Sequence, residues 1–327
     1  MELHVPDRPR RCQSDVRASR RALAHITPKD AHPQTQSQLM AVLPSEIRNS
    51  IFEYAVCQTV DDFKPVSATS HMHRPGHEYN AYIDTNLLRT CRLIYCETRA
   101  LPLQSATHHL YEEPSESFNP FDWDHYLFHL SSQSGQNLYH LHVTKWSSPF
   151  TFDTFLVPHL RWRKLTWTLC ASEWSPEAMK SDFHVSKTLA KAQFPEASRE
   201  VNLEYESLEK FPKQRKLLRK CARECGEIQL TRRDGSKLAH DESSEYIWKG
   251  TTWLPHRGDN HWEGDYVEAK YHVLRICWRA NVPRREYMHY DHWDCLQSGA
   301  LQPYISDKEV EDEELDDEYG VTEDLLV

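Results

Sequence analysis

The chain predicts an α+β protein, on three observations. Helix-spaced apolar positions come first, in two segments between residues 43 and 103. Short runs rich in aromatic and β-branched residues follow, several alternating at period two. One strong amphipathic helix, 212–225, interrupts those runs. Helices first and mixed strands afterwards is the order of an α+β fold.

Each element has a local reason. Residues 1–40 hold seven Lys/Arg against four acids with few apolar positions, and read as a disordered basic arm. Pro44 opens the first helix, because a proline at the first helical position loses no needed N–H and presets φ. Ile47, Ile51, Phe52 and Ala55 then recur at one-turn spacing and share a face. The second helix is expected from Thr85, a good N-cap, to a stop before Pro102, with Leu87, Leu88, Cys91, Ile94, Tyr95 and Thr98 as its stripe. Residues 41–112 thus read as one helical module, interrupted at 58–84 by a polar insertion containing His71, His73, Pro75 and Gly76.

Residues 113–298 read as an α+β recognition domain. Strands are expected at 138–146, 164–169, 200–205, 227–231, 245–253 and 271–278. In the first of these, Leu141 and Val143 alternate with His140, His142 and Thr144, so the histidines fall on the outward face and need no special role. Asp234-Gly235 marks a hairpin turn between 228–232 and 237–240. Trp167, Trp248 and Trp278 sit in strand-like runs and read as core, whereas Trp253, Trp262 and Trp293 fall in loop-like segments. Residues 299–327 read as an acidic disordered tail.

Charge is unevenly placed. Residues 307–327 carry eleven acids and one lysine, so the tail accounts for the whole chain's net charge of −10. The neutral remainder lacks the positive excess that nucleic-acid binding would want. No run of about 18 apolar residues occurs, which argues against a membrane span. The N-terminus lacks an apolar signal core and carries Glu2, Asp7 and Asp15 among its arginines. Nine cysteines, an odd count without paired spacing, suggest reduced thiols and a cytoplasmic or nuclear location.

The 212–225 helix divides cleanly. Leu217, Leu218, Cys221, Ala222 and Cys225 span about 140° of one face. Lys213, Arg215, Lys216, Arg219, Lys220 and Arg223 cover the other and suit an anionic partner, such as the acidic tail folding back. Metal binding is not indicated: zinc sites want paired ligands at tight spacing, and the densest cluster, His289, Asp291, His292, Asp294 and Cys295, reads as a polar loop. No cofactor is expected either. Only nine glycines occur, and none forms a phosphate cradle or a nucleophile elbow, so an enzyme is not expected.

The paired motifs LPSEIRNSIFEY and LLRTCRLIYCET resemble a large family of filamentous-fungal F-box-like proteins. Leu43, Pro44, Glu46, Ile47, Arg48, Ile51, Phe52 and Tyr54 match the first motif, and Leu87, Leu88, Arg89, Thr90, Cys91, Arg92, Ile94, Tyr95, Glu97 and Thr98 match the second. The later NLYHLHV and the 248–278 segment also look like that family, so the resemblance covers roughly 41–280. It implies an F-box-like helical module fused to an α+β domain. It further implies a substrate-recruiting subunit of a Skp1–cullin-type ubiquitin ligase, in which Leu43, Pro44, Ile47, Ile51 and Phe52 hold a Skp1-type adaptor and 113–298 holds an unidentified target protein. Two other readings stand beside it. One is a structural scaffold that binds no adaptor; the other is an anionic-ligand module working through Lys213, Lys216, Arg219, Lys220 and Arg223.

Overall fold

The computed structural model describes residues 25–70, 72–112, 132–145, 156–170, 185–255 and 264–281, with Leu23, Leu130, Phe152 and the pair 302–303. An N-terminal helical layer packs beside a large mixed sheet, so the architecture is α+β. The 1–40 arm before residue 23 and the 307–327 tail lie outside the described residues.

The N-terminal layer is built on α1 (Ser45–Val56), α2 (Arg92–Thr98) and α3 (Leu101–Ser105), and the end of the 1–40 arm, expected to be disordered, adds a 3-10 turn at Pro28–Asp30 and a short helix at Gln38–Ala41. Pro44 caps α1 with φ −55°, the value its ring imposes. The 85–101 stretch differs from the single helix its stripe predicts. A 3-10 turn at Leu87–Arg89 comes first, and Cys91 then takes extended backbone and caps α2, its Sγ accepting from the Ile94 N–H at 3.5 Å. α3 begins afresh with Pro102 in its first turn, where a missing N–H costs nothing. Phe52, Val56, Ile94, Thr98 and Pro102 are buried where α1 meets α2 and α3. Arg48 braces the seam, donating to the Leu43 carbonyl at 3.0 Å and pairing with Glu97 at 3.4 Å.

The polar insertion is structured. β1 (Gln58–Pro65) and β2 (Tyr79–Ile83) pair antiparallel as a separate two-stranded ribbon. The Gln58 side chain ties it to the sheet by accepting from the Thr107 N–H at 2.7 Å.

β3 (Thr107–Glu112), expected at the end of the helical module, is instead an edge strand of the nine-stranded sheet. The others are β4 (His140–Lys145), β5 (Lys164–Cys170), β6 (Gln193–Phe194), β7 (Glu200–Leu208), β8 (Leu230–Arg232), β9 (Lys237–Pro255), β10 (Gly264–Arg279) and β11 (Gln302–Pro303). The order is β3-β4-β5-β7-β10-β9-β8-β6, with β11 pairing on β9. β3, β4, β5 and β7 run parallel, while β7-β10-β9-β8 is antiparallel. The expected 237–240 and 245–253 segments are one long strand, β9, paired along its length with β10. Trp253 is therefore in a strand rather than a loop. The Asp234-Gly235 turn forms where expected, between β8 and β9.

Strand periodicity sorts the two faces. Leu141, Val143, Leu165, Trp167, Leu169, Val201, Leu203, Tyr205, Leu274, Ile276 and Trp278 share one face and form the main core. Helix α4 (Val185–Lys191) supplies Val185 and Leu189, and α5 (Pro212–Gly226) lays Leu218, Ala222 and Cys225 across β7 and β10. Trp278 is fully buried and its Nε1 donates to the Ile228 carbonyl at 2.8 Å, whereas the buried Trp162 and Trp167 indoles pack without a hydrogen-bond partner for Nε1 among the described residues. Among the described residues no helix is long and apolar enough to cross a membrane.

Truncating Leu218 to alanine should leave a cavity under α5 and destabilise the protein by about 2–5 kcal/mol, read as a lower urea midpoint at unchanged slope.

Candidate functional site

The other face of the same sheet is polar and almost as deeply buried. Its side chains stand in register across neighbouring strands. Thr107, His140, Lys164, Glu200 and Arg279 form one rung; His109, His142, Thr166, Asn202 and Cys277 form the next; Tyr111, Thr144, Thr168, Glu204 and Arg275 form a third. Cys170 and Glu206 begin a fourth.

These rungs are closed by hydrogen bonds and ion pairs, as buried polar groups must be. Lys164 pairs with Glu200 at 3.1 Å, and Arg279 reaches the same carboxylate at 3.2 Å. Arg275 pairs with Glu204 at 2.6 Å, while Thr168 donates to Glu204 from the other side at 2.6 Å. Burial alone would push both carboxyls up, but these cations and donors outweigh it and hold Glu200 and Glu204 at about 2. His140 lies between Thr107 (3.1 Å) and Thr166 (2.9 Å).

The insertion delivers the remaining members. Arg74-Pro75-Gly76-His77 is a turn closed by the His77 N–H donating to the Arg74 carbonyl at 2.8 Å, with Gly76 at φ +76°. Proline second and a left-handed glycine third is the type II pattern. The turn sets Arg74 and His77 down on the polar face. Arg74 is buried and pairs through both terminal nitrogens with the Glu206 carboxylate, at 2.5 and 2.9 Å. Trp248 Nε1 donates to the same carboxylate at 3.1 Å, its ring stacked on Tyr271 at 4.4 Å, and the guanidinium lies 5.6 Å from that indole's centroid. Gly250 makes room for the indole, since a Cβ there would meet the ring at 2.3 Å. Arg74 also donates to Cys170 Sγ at 3.0 Å, and burial pushes that thiol well up despite the guanidinium beside it.

Beside this pair three imidazoles converge. His77 Nε2 lies 2.9 Å from His109 Nδ1, and the His109 ring stacks on His142 with centroids 4.0 Å apart. One ring nitrogen from each of the three falls within 4.8 Å of the others. Tyr111 OH is 2.9 Å from His109 Nδ1. Burial, then the positive charge of Arg74, holds His77 down at about 4. Burial likewise holds His142 at about 3, against the pull of Glu204, and keeps His109 well below the usual histidine range. At neutral pH the cluster is therefore uncharged, with lone pairs available as ligands or proton acceptors.

The residues expected to carry function lie elsewhere. Leu43 is half-buried, Pro44 exposed, and Ile47 and Ile51 are 51% and 43% exposed, whereas Phe52 is 1% exposed and turned into the helical seam. Phe52 is thus a core residue of α1 and does not share the outward ridge; at 100° per residue it lies on the far side from Ile47. On α5, Arg219 is committed to Glu245 through two bonds at 2.9 and 3.0 Å, and Glu245 also holds His272 at 2.9 Å. Lys216 is half-buried, which leaves Lys213, Lys220 and Arg223 as exposed members of that face. The tail contact and the His289–Cys295 cluster both lie outside the described residues.

Sequence reading missed Arg74, His77, His109, Tyr111, Glu204 and Glu206 altogether. His77 and His109 are 32 positions apart and Arg74 and Glu206 are 132 apart, so no search for close pairs finds them. The one local signal was Pro75-Gly76, which specifies the turn but not what it covers.

A pH dependence follows. Where a histidine is neutral when folded and free to protonate when unfolded, the unfolded state binds more protons below about pH 6.5. Stability should be full above that value and fall as pH drops from 6.5 toward 4, by up to about 1.4 kcal/mol per pH unit for each such histidine. Urea midpoints measured from pH 7.5 to 5 check this, and His77→Gln should flatten the curve. No family model matches the chain, and no curated protein matches it.

Proposed function

We propose that this chain is a protein-interaction protein that docks a Skp1-type adaptor through the outward ridge of α1 and uses its sheet domain to hold a target. The observation that carries the proposal is that α1 is apolar on two opposite faces. Phe52 and Val56 are buried against α2 and α3, while Ile47, Ile51 and Tyr54 form an i, i+4, i+7 stripe on the other side, Tyr54 being 82% exposed. Val42, just before Leu43 and Pro44, is also an exposed apolar residue, at 73%. A helix with one spare apolar stripe is suited to a groove on a partner, with side chains at those spacings as anchors. The resemblance of 43–54 to an F-box opening is what points to an adaptor of that type rather than to another groove.

The outward placement makes the test clean, because substitution on the ridge leaves the seam intact. Ile47→Asp/Ile51→Asp in the full chain should weaken binding to a purified Skp1-type adaptor by at least about 100-fold, with circular dichroism and melting temperature unchanged. No binding by the folded wild type, or equal binding by the double variant, would refute the proposal.

A further inference from the structure

We propose that His77, His109 and His142 form a binding site for a divalent transition-metal ion of the zinc class. Three imidazole nitrogens within 4.8 Å of one another can close on a single ion, and an all-imidazole set suits zinc, copper, nickel or cobalt rather than magnesium or calcium. All three histidines are part-buried rather than sealed in the core.

The hydrogen bonds fix how the rings face. Glu204 is ionised and can only accept, so the Thr168 hydroxyl spends its proton on it. Thr168 Oγ1 must then accept from His142 Nε2–H at 2.8 Å, which leaves His142 Nδ1 bare. Metal-ligating histidines donate their far N–H to a carboxylate, carbonyl or water, and here the Thr168 hydroxyl stands between His142 and the Glu204 carboxylate in that role. His109 Nε2 also meets a threonine hydroxyl, lying 2.8 Å from Thr144 Oγ1. With Nε2–H donating there, His109 Nδ1 is bare as well and faces His77 Nε2 at 2.9 Å.

Two nitrogens that close share one proton when no ion is present. Ligands about 2.0–2.1 Å from a tetrahedral ion stand roughly 3.3 Å apart, so His77 and His109 need to part by a few tenths of an ångström. The turn backbone is held by Arg74, so the His77 ring takes up that shift, and one of the stacked His109 and His142 rings, 4.0 Å apart and 10° from parallel, turns toward the ion. The nearby Arg74 charge opposes a cation, but it is matched by Glu206 at 2.5 and 2.9 Å. Three protein ligands leave the fourth position of a tetrahedral ion to solvent or a further group, and Tyr111 OH lies 2.9 Å from His109 Nδ1.

The test uses the full chain, stripped of metal with chelator, titrated with Co²⁺ and then competed with Zn²⁺ at pH 7.5. The expected result is one equivalent of Co²⁺ giving the strong visible bands of a low-coordinate site, displaced by Zn²⁺. His77→Gln and His142→Gln should each weaken binding by about 100-fold or more, and Thr168→Val by about 10–100-fold with all three ligands intact. His77→Gln is decisive if His142→Gln fails to fold. Absence of stoichiometric binding by folded wild type, or binding that His77→Gln leaves unchanged, would overturn the proposal.

Discussion

The buried pair of Arg74 with Glu206 is the constraint on which the polar half of the molecule depends. Taking two charges out of water costs several kcal/mol per ion, and only good geometry with further hydrogen bonds offsets it. Here the geometry is bidentate, and Trp248 satisfies another lone pair of the carboxylate. The pair joins a turn in the N-terminal insertion to the middle of the sheet, 132 residues away. Once Arg74 is seated, the type II turn also fixes His77, which brings the third imidazole to His109 and His142.

The sheet divides its labour by face. Burial of large apolar side chains under α4 and α5 supplies most of the stabilisation, because that term scales with area removed from water. The polar face adds less net energy but specifies geometry, since each donor and acceptor there must find its partner or carry a desolvation penalty. Such a face is a costly way to build a core, and it is what makes a ligand site credible there. The α1 ridge is a separate feature built by a different rule: an apolar stripe left over after the helix has satisfied its own seam.

Much of the fold was legible. In β7, Glu200, Asn202, Glu204 and Glu206 alternate with Val201, Leu203 and Tyr205, and that period alone gives strand and faces. The long amphipathic helix and the Asp234-Gly235 turn were equally plain. Alternation does not say whether the polar side meets water. His140 and His142 read as outward side chains, and they are enclosed because their partners come from elsewhere in the chain. The stripe at 87–98 suggested one helix, but stripe spacing survives a break, and Cys91 breaks it. Phe52 shares a spacing pattern with Ile47 and Ile51, yet only packing decides which side of α1 faces its own seam. In the site itself, what joins Arg74 to Glu206 is tertiary structure, which local patterns do not encode.

The most direct test of this account is a double-mutant cycle on that pair, comparing Arg74→Met, Glu206→Gln and the double variant by urea denaturation. Each single change should cost about 3–5 kcal/mol, because it strands a buried partner, and the double should cost less than the sum by more than about 1 kcal/mol. Additive losses would mean that the two residues act independently and that something other than this pair holds the turn on the sheet.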